Sequence, residues 1–155
     1  MEFQDLGAFS AHLARLAVES KAVDAHILRT GARAIQKDAK ERIGSYQDAE
    51  GPFPAWVNLA ESTVDDRLRK GFTPDDPLLR TGALRKSIET HIEGNEASIG
   101  SRSDIALYQE QGTSTIPPRP FLGPAAHHLK STFAPEAALT LVTWLSGGAW
   151  RNPKR

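Results

Sequence analysis

Between Ile116 and Pro124 the chain reads "IPPRPFLGP", and no other stretch so narrows the folds open to it. Pro117, Pro118 and Pro120 each fix φ at about −65° and none can donate a backbone hydrogen bond. A helix cannot run through them, and neither can a central strand. The segment favours an extended polyproline conformation. Part of its ordering entropy is therefore lost before any contact forms, which suits it to docking. Arg119 presents a planar fork between rigid neighbours, fit for a carboxylate or for main-chain carbonyls. Phe121 and Leu122 add apolar anchors, directed either into the core or onto a partner.

Upstream, Phe3, Leu6, Phe9, Leu13 and Leu16 recur at three- and four-residue steps, one face of an amphipathic helix. "AVESKAVDAH" reads as a break, or as a bend in one long helix. Val23, Ile27, Gly31, Ala34, Ile35, Ala39 and Ile43 define a second helix of about 23–43, stopped by Gly44. Its charged residues read first as a solvated face. "SYQDAEGPFP" is a loop. Asn58 and Glu61 form a candidate capping box, with Leu59, Val64 and Leu68 as the buried stripe. Gly71-Phe72 is a glycine C-cap. Ile88, Thr90 and Ile92 alternate with Glu89, His91 and Glu93, and Gly94-Asn95 supplies a turn, so a hairpin is expected at about 87–101. "DIALYQEQG" is helix-like or an irregular edge. Pro124 to Leu129 begins a further helix. Pro135 opens a clearer one, with Ala138, Leu141, Val142 and Leu145 inward and Gly147-Gly148 at its end. Trp56 is expected to pack its loop down. Trp144 sits at the margin of the last stripe or on a partner-facing surface.

Helices at both ends thus enclose a small antiparallel sheet. The class is α+β, with one domain over 1–148 and a basic tail over 149–155. Nineteen basic residues balance nineteen acidic ones, which argues against a dedicated nucleic-acid binder. There is no cysteine, so disulfides, zinc thiolates and thiol nucleophiles are excluded. No apolar run reaches the roughly 20 residues that span a bilayer. "MEFQDLGAF" lacks the pattern of a signal peptide, and folding in a cytoplasm is expected. No serine elbow or glycine-rich phosphate loop occurs. The five histidines (His12, His26, His91, His127 and His128) show no ligand spacing, and adjacent His127 and His128 diverge on a helix. Asp65-Asp66 and Asp75-Asp76 read as caps and turns. No catalytic, cofactor or metal residue is nominated.

Three segments in order carry a resemblance: "WVNLAESTVDDRLRKGF", "PLLRTGALRKSI" and, after the hairpin, "ALYQEQGTSTIPPRPFLGPA". Together they resemble the tail-completion and neck proteins of tailed bacteriophages. They are similar to virion-morphogenesis proteins of Mu-like phages and to minor tail and neck components of lambda-like siphophages. The matching positions are Trp56, Leu59 and Thr63; Leu78, Thr81, Gly82, Leu84, Ser87 and Ile88; Tyr108, Gly112 and Thr113; and Pro117, Arg119, Pro120, Phe121 and Leu122. Where relatives often carry an aromatic or His-containing approach to the glycine, this chain has Gln109-Glu110-Gln111. The resemblance covers about 54–126.

The resemblance implies a non-enzymatic ring component of the virion neck or tail, assembled in the host cytoplasm and acting in tail completion and head–tail joining. It implies six copies, no cofactor, and neighbours such as a tail terminator, tail tube or head connector, with packaged DNA close by and no membrane. Trp56, Thr81, Gly82, Leu84, Tyr108, Gly112, Pro117, Arg119, Pro120, Phe121 and Leu122 are the interface candidates. Two other readings stand beside it. One is an adaptor whose Pro117–Pro120 spacing suits an SH3-like domain. The other is a nucleic-acid-contacting protein using the basic residues of the second helix and tail.

Overall fold

The computed structural model describes residues 2–148, so the expected basic tail over 149–155 lies outside the described residues. The elements run α1 (Leu6–Arg42), α2 (Glu61–Arg69), α3 (Ala83–Ser87), β1 (Glu89–Glu93), β2 (Glu96–Gly100), α4 (Asp104–Gln111) and α5 (Leu122–Leu145). The arrangement is α+β, as the sequence implies.

The two N-terminal helices of the sequence reading are a single helix. No glycine or proline interrupts 17–26, and its Ala, Glu and Lys are good helix formers, so nothing forces a break. Asp5 caps α1 by accepting from the Ala8 amide at 2.7 Å. Gly44, at φ +111°, carries the chain out, and its amide reaches the Pro77 carbonyl at 2.9 Å. At its other end the chain is also one helix, where two were expected. Pro124 falls in the first turn of α5, where its missing amide costs nothing. Pro135 lies inside the helix rather than opening it.

α1 and α5 pack antiparallel. His128 Nδ1 meets Asp38 Oδ2 at 2.9 Å, Trp144 Nε1 donates to Glu19 Oε2 at 3.0 Å, and His12 Nε2 lies 3.0 Å from the Leu145 carbonyl. Gly31 allows this closeness, since a Cβ there would stand 2.9 Å from the Phe133 ring. The inward face of α5 carries half-buried Phe133 and Leu141 and buried Trp144. Of the residues expected inward, Ala138, Val142 and Leu145 are exposed, because Gly31 and Glu19 draw the Phe133 and Trp144 side of the helix onto α1.

The hairpin forms with Glu89 opposite Gly100 and Glu93 opposite Glu96. Gly94, at φ +57°, takes the first turn position, the place of glycine in a II′ turn. Only the start of the expected buried face is covered: Ile88 is buried, Thr90 half-buried and Ile92 exposed. Gln36 on α1 donates to the Ile88 carbonyl at 2.8 Å, seating the hairpin on that helix.

α2 starts later than expected. Its N-cap is Ala60, with no side-chain cap, so the Asn58–Glu61 box does not form. Trp56 to Ala60 instead forms a strap outside any helix or strand. Leu68 is exposed, and Arg67 is the buried residue of α2. Its guanidinium donates to the Thr73 and Asp76 carbonyls at 3.0 and 2.7 Å, which turns that side of the helix inward. The expected glycine C-cap does form. Gly71 adopts φ +74° and the Phe72 amide returns to the Arg67 carbonyl at 2.9 Å.

The core gathers Ala39 and Ile43 from the end of α1 with Trp56, Leu84, Ile88 and Phe121, among others. It occupies one end of the molecule. At the other end α1 and α5 form a two-helix arm. The N-terminal apolar stripe there stays largely open, with Leu6 81% and Leu13 47% exposed.

Candidate functional site

The strap and the proline loop are laced together from both sides. Trp56 Nε1 donates to the Pro120 carbonyl at 3.0 Å. In return Arg119 donates from Nη2 to the carbonyls of Val57 and Asn58 at 2.9 and 3.2 Å, and from Nε to Val57 at 3.3 Å. Of the two acceptor types its fork suits, Arg119 has taken the carbonyls. It is buried, and burial pushes its guanidinium below the ordinary value, with Tyr46 pulling weakly the other way. Tyr46 holds the strap from behind. Its hydroxyl donates to Asp75 and accepts from the Leu59 amide at 3.1 Å. Burial, then the bond to Asp75, raises that phenol above its usual range.

The loop itself closes on a glycine. Gly112 has φ +75° and ψ 176°, and a Cβ there would lie 2.9 Å from both the Ile116 carbonyl oxygen and the Pro118 nitrogen. Thr113 and Ile116 pair across the turn, amide to carbonyl at 2.8 Å and amide to hydroxyl at 3.0 Å. The Arg119 amide reaches back to the Gln109 carbonyl at 2.6 Å.

Glu110 completes the lock. Phe121 occupies the N-cap of α5 and offers no side-chain acceptor. The Glu110 carboxylate accepts the amides of Phe121, Leu122 and Gly123 at 2.8, 3.0 and 2.7 Å. A negative group at a helix start answers both the orphan amides and the helix dipole. The sequence reading had no role for Glu110. The available signal was an α5 start without Ser, Thr, Asp or Asn at its cap, which requires an acceptor from elsewhere in the chain.

In front of this braced wall lies an open groove of about 760 Å³. Its floor and rim draw on α2, the 78–84 segment, α4 and the proline loop, with Val57, Leu59, Leu78, Ile105, Ile116 and Pro117 as apolar lining. Three arginines line it, Arg67, Arg80 and Arg119, and no Asp or Glu does. Arg80 lies 4.9 Å over the Phe72 ring and pairs at 3.1 Å with Asp66 behind the groove. Leu78 adopts φ +63°, the sole non-glycine residue in that region among those described. Such a conformation is costly for a branched side chain, and it sets Leu78 between the core and the groove.

Of the sequence candidates, Thr81, Gly82, Leu84, Pro117 and Arg119 line the groove. Trp56, Pro120 and Phe121 are buried behind it, and Leu122 starts α5 half-buried. Gly112 sits at the neck of the loop. Tyr108 is 47% exposed on α4 and is not part of the lining. Reasoning from sequence missed Arg67, Ile105 and Leu78's conformation as groove features.

The other titratable cluster joins α1, the 45–53 loop and α5. Arg42 lies 2.8 Å from both Asp38 and Glu50, and His128 contacts Asp38. Burial alone would raise the Asp38 carboxyl, but hydrogen bonds and charge from Arg42 and His128 prevail and hold it below the usual value. Burial likewise works against the Arg42 charge, and bonds to Asp38 and Glu50 outweigh it, raising that guanidinium. Among the described residues no group of three His, Cys, Asp or Glu could hold a metal ion, and no helix is long and apolar enough to cross a membrane.

The model of a family described as the phage virion morphogenesis family matches residues 4–134. No curated protein and no solved structure matches the chain.

Proposed function

The chain belongs to the phage virion morphogenesis family, and on that footing we propose that it is a ring component of the neck or tail, acting in tail completion and head–tail joining. One observation carries this reading. Residues from three separate stretches (57–63, 78–84 and 115–119) converge on a single open groove, and the wall behind it is cross-braced by Arg119, Trp56 and Glu110. A rigid, mostly apolar surface is what a subunit presents to its neighbours in a closed assembly. The groove lining offers arginines fixed by carbonyls and by the ion pair to Asp66, and the lining itself holds no carboxylate or histidine for proton transfer. In this reading copies of the chain surround the DNA path and meet the ring above or below.

The adaptor reading is less well supported. An SH3-like partner would need the arginine of its ligand, and Arg119 is buried with its fork already spent on Val57 and Asn58.

Mass spectrometry and cryo-electron microscopy of purified particles test the proposal. The chain should be found in the virion in a ring between head and tail. Loss of the gene should leave separate heads and tails. Particles that lack the chain, with heads and tails joined normally without it, would refute the proposal.

A further inference from the structure

The two-helix arm leaves one apolar face uncovered. The seam between its helices is marked by His12, at the Leu145 carbonyl, and by Glu19, which accepts from Trp144. Successive residues of a helix turn by about 100°. Phe9, Leu13 and Leu6 of α1 therefore lie about 70–130° round from the seam, all in one sense. Leu145 and Val142 of α5 lie about 100–160° round from Trp144 in the same sense. The helices are antiparallel, so equal senses lead to the same face of the pair. These five residues are between 40% and 81% exposed, and Phe3 stacks edge-on against Phe9 at 5.2 Å. Val18 and Leu139, also exposed, turn to the opposite side. Isolated exposed leucines need no explanation, but a contiguous set marks an interaction surface.

The extent of the face and its lack of charge point to what covers it. At roughly 200 Å² for one large apolar side chain, the exposed fractions of Phe3 and the five residues above amount to about 600 Å², the upper end of what a monomer leaves open. Two such faces supply about 1,200 Å², enough for a specific protein interface. Between Leu6 and Ser20 on α1, and between Ala134 and Leu145 on α5, no residue on that side is charged. His12 is turned into the seam, Asp5 is bound to the Ala8 amide, and Arg15 lies on the Val18 side. Selection of a different partner relies on charged and polar groups set across the interface. This face offers none, and a second copy matches it in length, width and chemistry. A two-helix arm is also half of a four-helix bundle, whose core takes apolar residues from every helix.

We propose that two copies of the chain pair through this face, arm against arm, as a four-helix bundle. The contact joins identical patches, so it has two-fold symmetry. It goes beyond the ring reading and does not rest on it, because a ring closes through unlike patches. Pairing keeps the face from water while the chain stands outside a particle.

The full chain carries the test. In analytical ultracentrifugation wild type should sediment as a dimer that dissociates on dilution. Leu13→Asp and Val142→Asp, one on each helix, should sediment as monomers at concentrations where wild type is dimeric, with circular dichroism unchanged. Val18→Asp makes the same kind of change on the other side of the arm and should leave the dimer intact. The chain has no cysteine, so single-cysteine chains report the geometry. Leu13→Cys should cross-link to itself with a short bismaleimide, and Val18→Cys should not. Removal of residues 149–155 should leave the dimer intact.

A wild-type chain that stays monomeric at every concentration overturns the proposal. So does a dimer broken by Val18→Asp, by Ile105→Asp or by removing 149–155 but not by Leu13→Asp, which would put the contact on another surface. A dimer that forms only after removal of 149–155 would mean that the tail covers the face within its own chain, and the proposal falls. Should an aspartate variant unfold, the cysteine chains decide alone, and equal cross-linking at Leu13→Cys and Val18→Cys overturns the pairing. Whether the chain is in the virion is decided separately, by the particle measurements.

Discussion

Arg119 is a buried charge answered by neutral carbonyls. Its removal would leave the Val57 and Asn58 carbonyls short of a donor and open space behind the groove. Arg119→Ala should cost about 2–4 kcal/mol of stability. Arg119→Lys keeps a donor but not the fork, and should recover about 1 kcal/mol of that loss. Urea denaturation reads both, and a loss below about 0.5 kcal/mol for the alanine variant would show that the fork does not hold the strap. Two glycines give a second residue-scale comparison. Gly112 and Gly82 share φ +75°, but a Cβ at Gly112 meets backbone at 2.9 Å and one at Gly82 meets nothing within 4 Å. Gly112→Ala should therefore cost about 2–4 kcal/mol, and Gly82→Ala about 1 kcal/mol. Equal losses at the two sites would mean that backbone strain alone decides. The sequence marked both glycines only as positions of the family resemblance. It could not rank them, because the clash at Gly112 comes from a loop closing on itself.

Among the elements, the contact between α1 and α5 is legible only in part. The apolar period of each helix is plain in the sequence, but which flank of that period faces inward depends on the partner. Gly31 lets Phe133 in and Glu19 takes Trp144, so the inward line of α5 is rotated from the one its leucines suggest. Pro135 misled for a related reason. Proline is common at a helix start, yet tertiary packing on both sides carries α5 through it. The Asp38–Arg42–His128 cluster fastens the same two helices. Its native carboxyl is held below the ordinary carboxylate value, so on acidification the unfolded chain binds this proton first. The stabilisation is complete above the unfolded value and is lost as pH falls through the lower native one. Wild type should thus be more stable than Asp38→Asn near neutrality, with the gap in Tm closing below about pH 4. A gap that stays constant with pH would show that the Asp38 charge does not contribute.

At the scale of the whole molecule, stability is concentrated at one end. The core draws on Ala39 and Ile43 of α1, with Ile35 packed against it, whereas Leu6 to Val18 lie mostly exposed. Regions with few buried apolar contacts open at lower free energy. Amide exchange along α1 should accelerate from Ala39 toward Phe9. Uniform protection over the helix would contradict that gradient.

The sequence by itself determined the α+β class, the hairpin with its Gly94-Asn95 turn, the glycine stop after α2, and the motif set that places the chain in its family. These rest on local periodicity and on backbone limits of glycine and proline, which neighbours in the chain decide. Only the tertiary structure decided that α5 runs as one helix through Pro135, and that Arg119 binds carbonyls. The same holds for the capping of α5 by Glu110 and for the alignment of Arg67, Ile105 and Leu78 along the groove. Each of these depends on groups far apart in sequence, 61 and 62 residues for Arg119 and its acceptors, and the donors and acceptors find each other only once the strap, the loop and the helices have packed.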